Sequence, residues 1–264
     1  MEKLYFKVFL LFFSFVIVVI GVKCFDFNKD VNKKIASDSI KIYDNITKIK
    51  IINYTGNIDI AGKNNTFEPY LKVDKIAKSN SDKRNNYILE TCSYKIIYSK
   101  DELIINTYIG ENIDSLSEIE FDYELVVPES IEILIDNRIG DITITDIYNN
   151  LNISNSSGNI TLNHITARDI KLSANEINAY ATLYYPEDSI DWEFIGTSGN
   201  IELDLKEGIS AVVEARIATG QIDYSLRDFL IQESNNVRLK GILREGEGKI
   251  FVDLITGNIK LITF

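Results

Sequence analysis

From about residue 40 the chain alternates apolar and polar residues with a period of two, the spacing of strands that bury one face. Ile40-Lys-Ile-Tyr43 and the stretch from Ile46 to Asn53 open the pattern, and the second runs through Thr55 and Gly56 into Ile58-Asp-Ile60. Another strand is predicted over Pro69 to Ala77, followed by a polar loop and a short helix within residues 84–93. Tyr94 to Tyr98 and Leu103 to Tyr108 read as a hairpin around the connection 99–102. Residues 110–118 form an acidic loop, and Phe121 to Val127 ends at Pro128, whose missing amide hydrogen stops a ladder.

One phrase then recurs: Tyr54-Thr-Gly-Asn-Ile58, Arg138-Ile-Gly-Asp-Ile142, Ser156-Ser-Gly-Asn-Ile160, Thr197-Ser-Gly-Asn-Ile201, Ala218-Thr-Gly-Gln-Ile222 and Ile255-Thr-Gly-Asn-Ile259. Gly takes positive φ without steric penalty, so each copy predicts a corner between two short strands, and turn geometry accounts for the polar residue that follows. Ser173-Ala-Asn-Glu-Ile177 aligns as a further copy with Asn175 at the corner, since Asn is the best non-Gly residue for left-handed backbone. The corner residues are then Gly56, Gly140, Gly158, Asn175, Gly199, Gly220 and Gly257. From Gly140 onward their spacings are 18, 17, 24, 21 and 37, the last spanning two periods with a degenerate turn at Asn235-Asn236 or Lys240-Gly241. The same turn in the same phase predicts an all-β, parallel β-solenoid or β-helix-like body over residues 39–264. A β-sandwich is the competing fold and would join its strands by hairpins.

The amino terminus departs from this pattern. Lys3 and Lys7 precede an apolar run from Val8 to Val22 closed by Lys23, so residues 1–24 read as a signal peptide or membrane anchor. Fifteen residues at about 1.5 Å each reach about 22 Å, so spanning a membrane requires Leu4 to Phe6 to join, giving contact through residues 4–22. No small-x-small cleavage site follows, which favours an uncleaved anchor with the body outside the cytoplasm. Cys24 stands where a lipoprotein carries its acylated Cys, although Lys23 and Gly21 depart from that signal. Residues 25–38 read as a tether, and Cys92 as a small buried apolar residue.

Ile, Val, Tyr, Phe and Thr are plentiful and Pro is scarce, which agrees with strands. The formal charge is -11; residues 101–150 hold thirteen Asp and Glu against Arg138 alone. Such a balance excludes nucleic acid as a partner, because phosphates demand a concentrated basic surface. The acidic block reads as a solvated face that keeps a β-rich body soluble, with cation binding as the alternative.

The run from Tyr123-Glu-Leu-Val-Val-Pro128 through Ile133 to Ile144, and on to Thr256-Gly-Asn-Ile-Lys-Leu261, resembles the bacterial putative adhesin domain. That family shows a strand ending in Val-Pro, several Ser-Gly-Asp/Asn-Ile-x-Leu units and a final copy at the carboxyl end, and the likeness covers residues 45–264. The resemblance implies a β-solenoid or β-helix-like body beyond an export signal or membrane segment, in a family of otherwise unknown function. This chain uses Asn where the family usually has Asp, which weakens cation binding at the turns.

Chemistry-bearing groups are few. His164 is the only His, which argues against a Ser-His-Asp triad or a multi-His zinc site, and each Gly stands alone, so there is no phosphate loop. Asp188 and Asp191, with Tyr184, Tyr185 and Trp192, form the one cluster suited to glycan stacking or glycoside chemistry. The composition therefore predicts a non-enzymatic envelope protein without a cofactor or metal, whose body serves adhesion, assembly or binding to a protein or glycan. The alternatives are a carbohydrate-active β-helix enzyme and a regulatory partner in envelope stress sensing.

Overall fold

The computed structural model describes residues 32–43, 45–64, 67–113, 115, 118–184 and 189–264. The predicted anchor, the candidate lipidation position Cys24, and Tyr185 and Asp188 lie outside the described residues. Among those described, no helix is long and apolar enough to cross a membrane.

The body is all-β with one helix, and its core strands pair in parallel. Each repeat is a rung of two legs. The first legs of successive rungs pair with one another, and so do the second legs. The opening rung is β6 (Glu102–Tyr108) with β7 (Ile119–Pro128). Next come β2 (Lys48–Thr55) with β3 (Ile58–Lys63), then β8 (Glu132–Ile139) with β9 (Ile142–Thr145). Four strands then run through both legs: β10 (Leu151–Thr166), β11 (Asp169–Tyr184), β12 (Asp191–Leu205) and β16 (Gly248–Thr263). The last rung in space is β13 (Ala211–Ser225), so β16 lies between β12 and β13.

Antiparallel strands cap both ends. β5 (Ser93–Ser99) pairs with β6, while β4 (Tyr70–Ser79) pairs with β7 and carries β1 (Asn32–Lys41) on its other edge. At the far end β15 (Arg238–Leu243) pairs with β13, and β14 (Phe229–Asn235) pairs with β15. The last seven residues of the predicted tether, 32–38, are thus part of a strand ten residues long. The expected degenerate turn after Gly220 is instead the bend of this hairpin, made by Asn236 and Val237 between the paired Asn235 and Arg238. The β5–β6 hairpin is tighter than predicted, closing at Lys100 and Asp101 with Lys100 at φ 57.

The single described helix, α1 (Asp82–Thr91), starts two residues before the predicted span because Ser81 caps it: its Oγ accepts the Arg84 backbone N–H at 3.2 Å. Ile88 and then Cys92 are buried beneath it, Cys92 as a small core residue.

Inward parity changes at every corner. In β10 the buried apolar positions are Leu151 and Ile153 before Gly158, then Ile160 and Leu162 after it; β12 repeats this with Trp192 and Phe194, then Ile201 and Leu203. Both legs therefore face one core, a continuous column of Ile, Leu and Val between them.

Gly at the corner is required by close approach as much as by φ. A Cβ on Gly140 would lie 2.0 Å from the Gly56 carbonyl oxygen, one on Gly158 2.1 Å from that of Gly140, and one on Gly257 1.6 Å from that of Gly199. The Phe121 carbonyl crowds Gly56 in the same way, 2.2 Å from a built Cβ, and both it and the Gly140 carbonyl are also held from inside. Asn53 Nδ2 donates to the Phe121 carbonyl at 3.3 Å and Asn155 Nδ2 to that of Gly140 at 3.0 Å.

The prediction for Asn175 is corrected here. Register pairs Gly158 with Ile177 and Ile177 with Gly199, so Ile177 occupies the corner column, and Asn175 is not among the residues of positive φ. The polar residue after Gly also has more than a turn role. Asn258 donates to Asn200 (2.9 Å), Asn200 to Asn178 (3.0 Å), Asn178 to Asn159 (3.3 Å) and Asn159 to Asp141 (3.1 Å), which makes an amide ladder along the outside of the corner.

Candidate functional site

The rim opposite the glycine corner is where the second leg of one rung connects to the first leg of the next. Backbone hydrogen bonds hold neighbouring rungs in register out to this edge: Asp146 N–H to the Asn163 carbonyl (3.0 Å), Lys206 N–H to that of Leu183 (2.8 Å), and Phe264 N–H to that of Leu205 (3.0 Å). Side chains at the rim are therefore set one per rung by the ladder itself.

Here Tyr148, His164, Tyr184, Lys206 and Phe264 form a row. The Tyr148 and His164 rings are 5.6 Å apart, His164 and Tyr184 4.4 Å, and Tyr184 and Phe264 5.8 Å, all edge to face. Lys206 Nζ lies 5.9 Å from the Tyr184 ring centre and 5.1 Å from that of Phe264, so its ammonium is flanked by two rings. Tyr148 is 41% exposed and Phe264 39%.

Local backbone aims His164 at its neighbours. Asp146 and His164 both adopt positive φ, at 56 and 57, and a register irregularity between Leu162 and Ile165 turns the chain there. His164 Nδ1 lies 2.6 Å from Asp146 Oδ1. The Tyr148 hydroxyl is pushed above the usual phenol range by burial first, then by the Glu129 and Asp146 carboxylates. It stays a protonated donor at neutral pH.

Among the described residues, Tyr184 is the one member of the predicted glycan cluster that reaches this row. Trp192 does not: it is fully buried, with its indole N–H donating to the Ala167 carbonyl at 2.9 Å, and its ring is a core filler closed to any ligand. Its large apolar ring belongs inside, and its single polar atom finds a backbone partner there. Asp191 opens β12 on the exposed face, in register with Asp169 and Lys249. His164, expected on the exterior of a rung, is half-exposed and central to the row. Tyr148, Lys206 and Phe264 escape sequence reasoning because each is a lone residue just past a strand, and only the stacking brings them together.

The acidic block is dispersed over several surfaces. Glu120, Asp122 and Glu124 lie on β7, Asp136 on β8, Asp141 at the corner and Asp146 at the rim. Lys78 pairs with Glu120, Arg84 with Glu118 at 2.6 Å, and Lys48 with Glu132 at 3.3 Å. Among the described residues, no group of three or more His, Cys, Asp or Glu is placed to hold a metal ion.

A crystal structure described as a putative cell adhesion protein from Clostridium sporogenes ATCC 15579 aligns with 88% of this chain and 100% of its own, at 13% identity and a TM-score of 0.49. One described as a putative adhesin from Bacteroides fragilis aligns with 87% of this chain and 98% of its own, at 12% identity and a TM-score of 0.39. No curated protein matches the sequence. The family model described as Toastrack DUF4097 matches residues 34–262, nearly the whole β body, and the chain belongs to that family.

Proposed function

We propose that this chain is a non-enzymatic bacterial envelope protein, exported or held at the membrane through residues 4–22, whose stacked body serves adhesion, assembly or partner binding. Its contact surface is the rim row. The observation that carries this reading is the row itself: five rungs each supply a partly or fully exposed ring or cation to one contiguous row, on a scaffold stiffened by parallel ladders. A preformed line of rings and cations contacts a partner with little ordering on binding.

The test joins exposure to contact. Protease added to intact cells is expected to remove the body, and cells carrying Tyr184→Ser with Phe264→Ser are expected to adhere less well to host-matrix or sibling-cell surfaces than cells carrying Ile195→Ser. Ile195 is 40% exposed on the outer face of the first leg, away from the rim, and serves as the control. A body that survives on intact cells and is cut only after lysis sinks surface adhesion.

A further inference from the structure

We infer that the rim row is a binding site for a pyranose polysaccharide laid across the rungs; this rests on the reading of the rim as the contact surface and names its ligand class. Neighbouring rings of the row stand 5.6, 4.4 and 5.8 Å apart centre to centre, with Tyr184 reaching Phe264 across the rung that carries Lys206, a spacing comparable to one sugar unit in an extended glycan. A glycan that follows the row therefore meets a new side chain at nearly every unit.

The chemistry alternates as a sugar requires. Pyranose rings present C–H faces to aromatic rings and hydroxyls around their edges. Tyr148, Tyr184 and Phe264 offer rings, while the protonated Tyr148 hydroxyl, the His164–Asp146 pair and the Lys206 ammonium offer donors and acceptors between them. Lys206 has no carboxylate partner among the described residues and stands between two rings, free to donate to a hydroxyl or ring oxygen.

Other ligand classes fit less well. A nucleic acid is opposed by the net charge of -11. A hydrophobic peptide wants a contiguous apolar groove, whereas these rings are only partly exposed and are interrupted by Lys206 and His164. Each single contact is weak, and affinity grows with the number of rungs engaged.

The experiment uses the full chain in detergent, with amorphous cellulose, chitin and purified cell-wall sacculi as probes in co-sedimentation. Retention on at least one polymer is expected, falling about tenfold when Tyr184→Ser and Phe264→Ser remove two stacked rings. Ile195→Ser is expected to leave it unchanged. Thermal unfolding checks that the variants fold; if the double variant does not, Phe264→Ser alone is read, since that side chain stands at the surface. Retention on none of the three polymers overturns the inference, as does equal retention by the rim variants. If no polymer is retained while the same variants still lose cell adhesion, the glycan is wrong and the rim remains the contact surface. If rim variants alter neither retention nor adhesion, both readings fall.

Discussion

The corner glycines show how one missing atom sets a rung. Gly257 has φ +138 and its absent Cβ leaves room for the Gly199 carbonyl, whereas Gly208 has φ +106 and its nearest neighbour to a built Cβ is 3.7 Å away. Both positions strain an L side chain, but only the first also collides with backbone. Gly257→Ala is expected to lower stability by about 3 kcal/mol or more and Gly208→Ala by about 1 kcal/mol, read from urea unfolding midpoints. Equal losses would remove close approach as the reason for Gly at the corner. A charged position behaves differently. Partial desolvation of this largely exposed carboxyl first, and then the Glu124 carboxylate, raise the pKa of Asp59. Its folded value lies above the unfolded value of about 3.9, so the folded state binds the proton more tightly and this group favours folding increasingly as pH falls through that window. At neutral pH the carboxylate opposes folding. Asp59→Asn is therefore expected to be at least as stable as the parent at pH 7, with the difference shrinking as pH falls and gone only below the unfolded value, at about pH 3; a lower melting temperature for the variant at pH 7 would contradict the sign.

Along the elements, the local sequence carries the structure unevenly, for physical reasons. Period-two alternation located the strands because a half-buried strand must alternate, and Pro128 closed β7 as expected. The predicted repeat at Asn175 failed because Ile177 takes the corner position in β11, and a corner crossed without positive φ leaves no Gly to find. In hindsight Asn178 was a signal: it continues the amide ladder between Asn159 and Asn200. Of the capping strands, β4 and β5 follow the alternation, whereas β1 and the hairpin of β14 and β15 escape it. β1 is exposed along nearly its whole length, so it lacks the buried positions that make alternation visible, and Lys33 and Lys34 resemble a tether. Those same charges suit an edge strand, since they discourage pairing with another chain. The hairpin of β14 and β15 occupied a gap that the period assigned to another rung, because spacing counts residues and is blind to a reversal of direction.

For the whole molecule, spatial order differs from chain order. β2 pairs with β8 across an insertion that folds into the opening cap, so Asn57 meets Asp141 84 residues away. β16 enters between β12 and β13, and Asn258 meets Asn200 58 residues away. A simple solenoid loses only its last rung when truncated. This chain is expected to lose more: deleting residues 248–264 removes the rung on which β13 and its hairpin rest, and unfolds that end rather than shortening it. Circular dichroism and limited proteolysis of the truncated chain check this, and a compact, protease-resistant product ending at β12 and β13 would argue against it. The rim site belongs to this scale as well, since Tyr148, His164, Tyr184, Lys206 and Phe264 share no local motif and meet only through stacking.

The chain by itself determined that the body is built of strands, that glycine corners recur, and that the repeats fall in phase. These are local demands of alternation and backbone sterics, and they are written residue by residue. The tertiary structure alone decided which rung lies beside which, that Trp192 faces inward, that the Asn residues form a ladder, and which lone side chains line the rim. Those depend on hydrogen bonds and close contacts between segments far apart in the chain. Several strands share the same Ile-x-Ile pattern, so the pattern alone does not say which of them become neighbours.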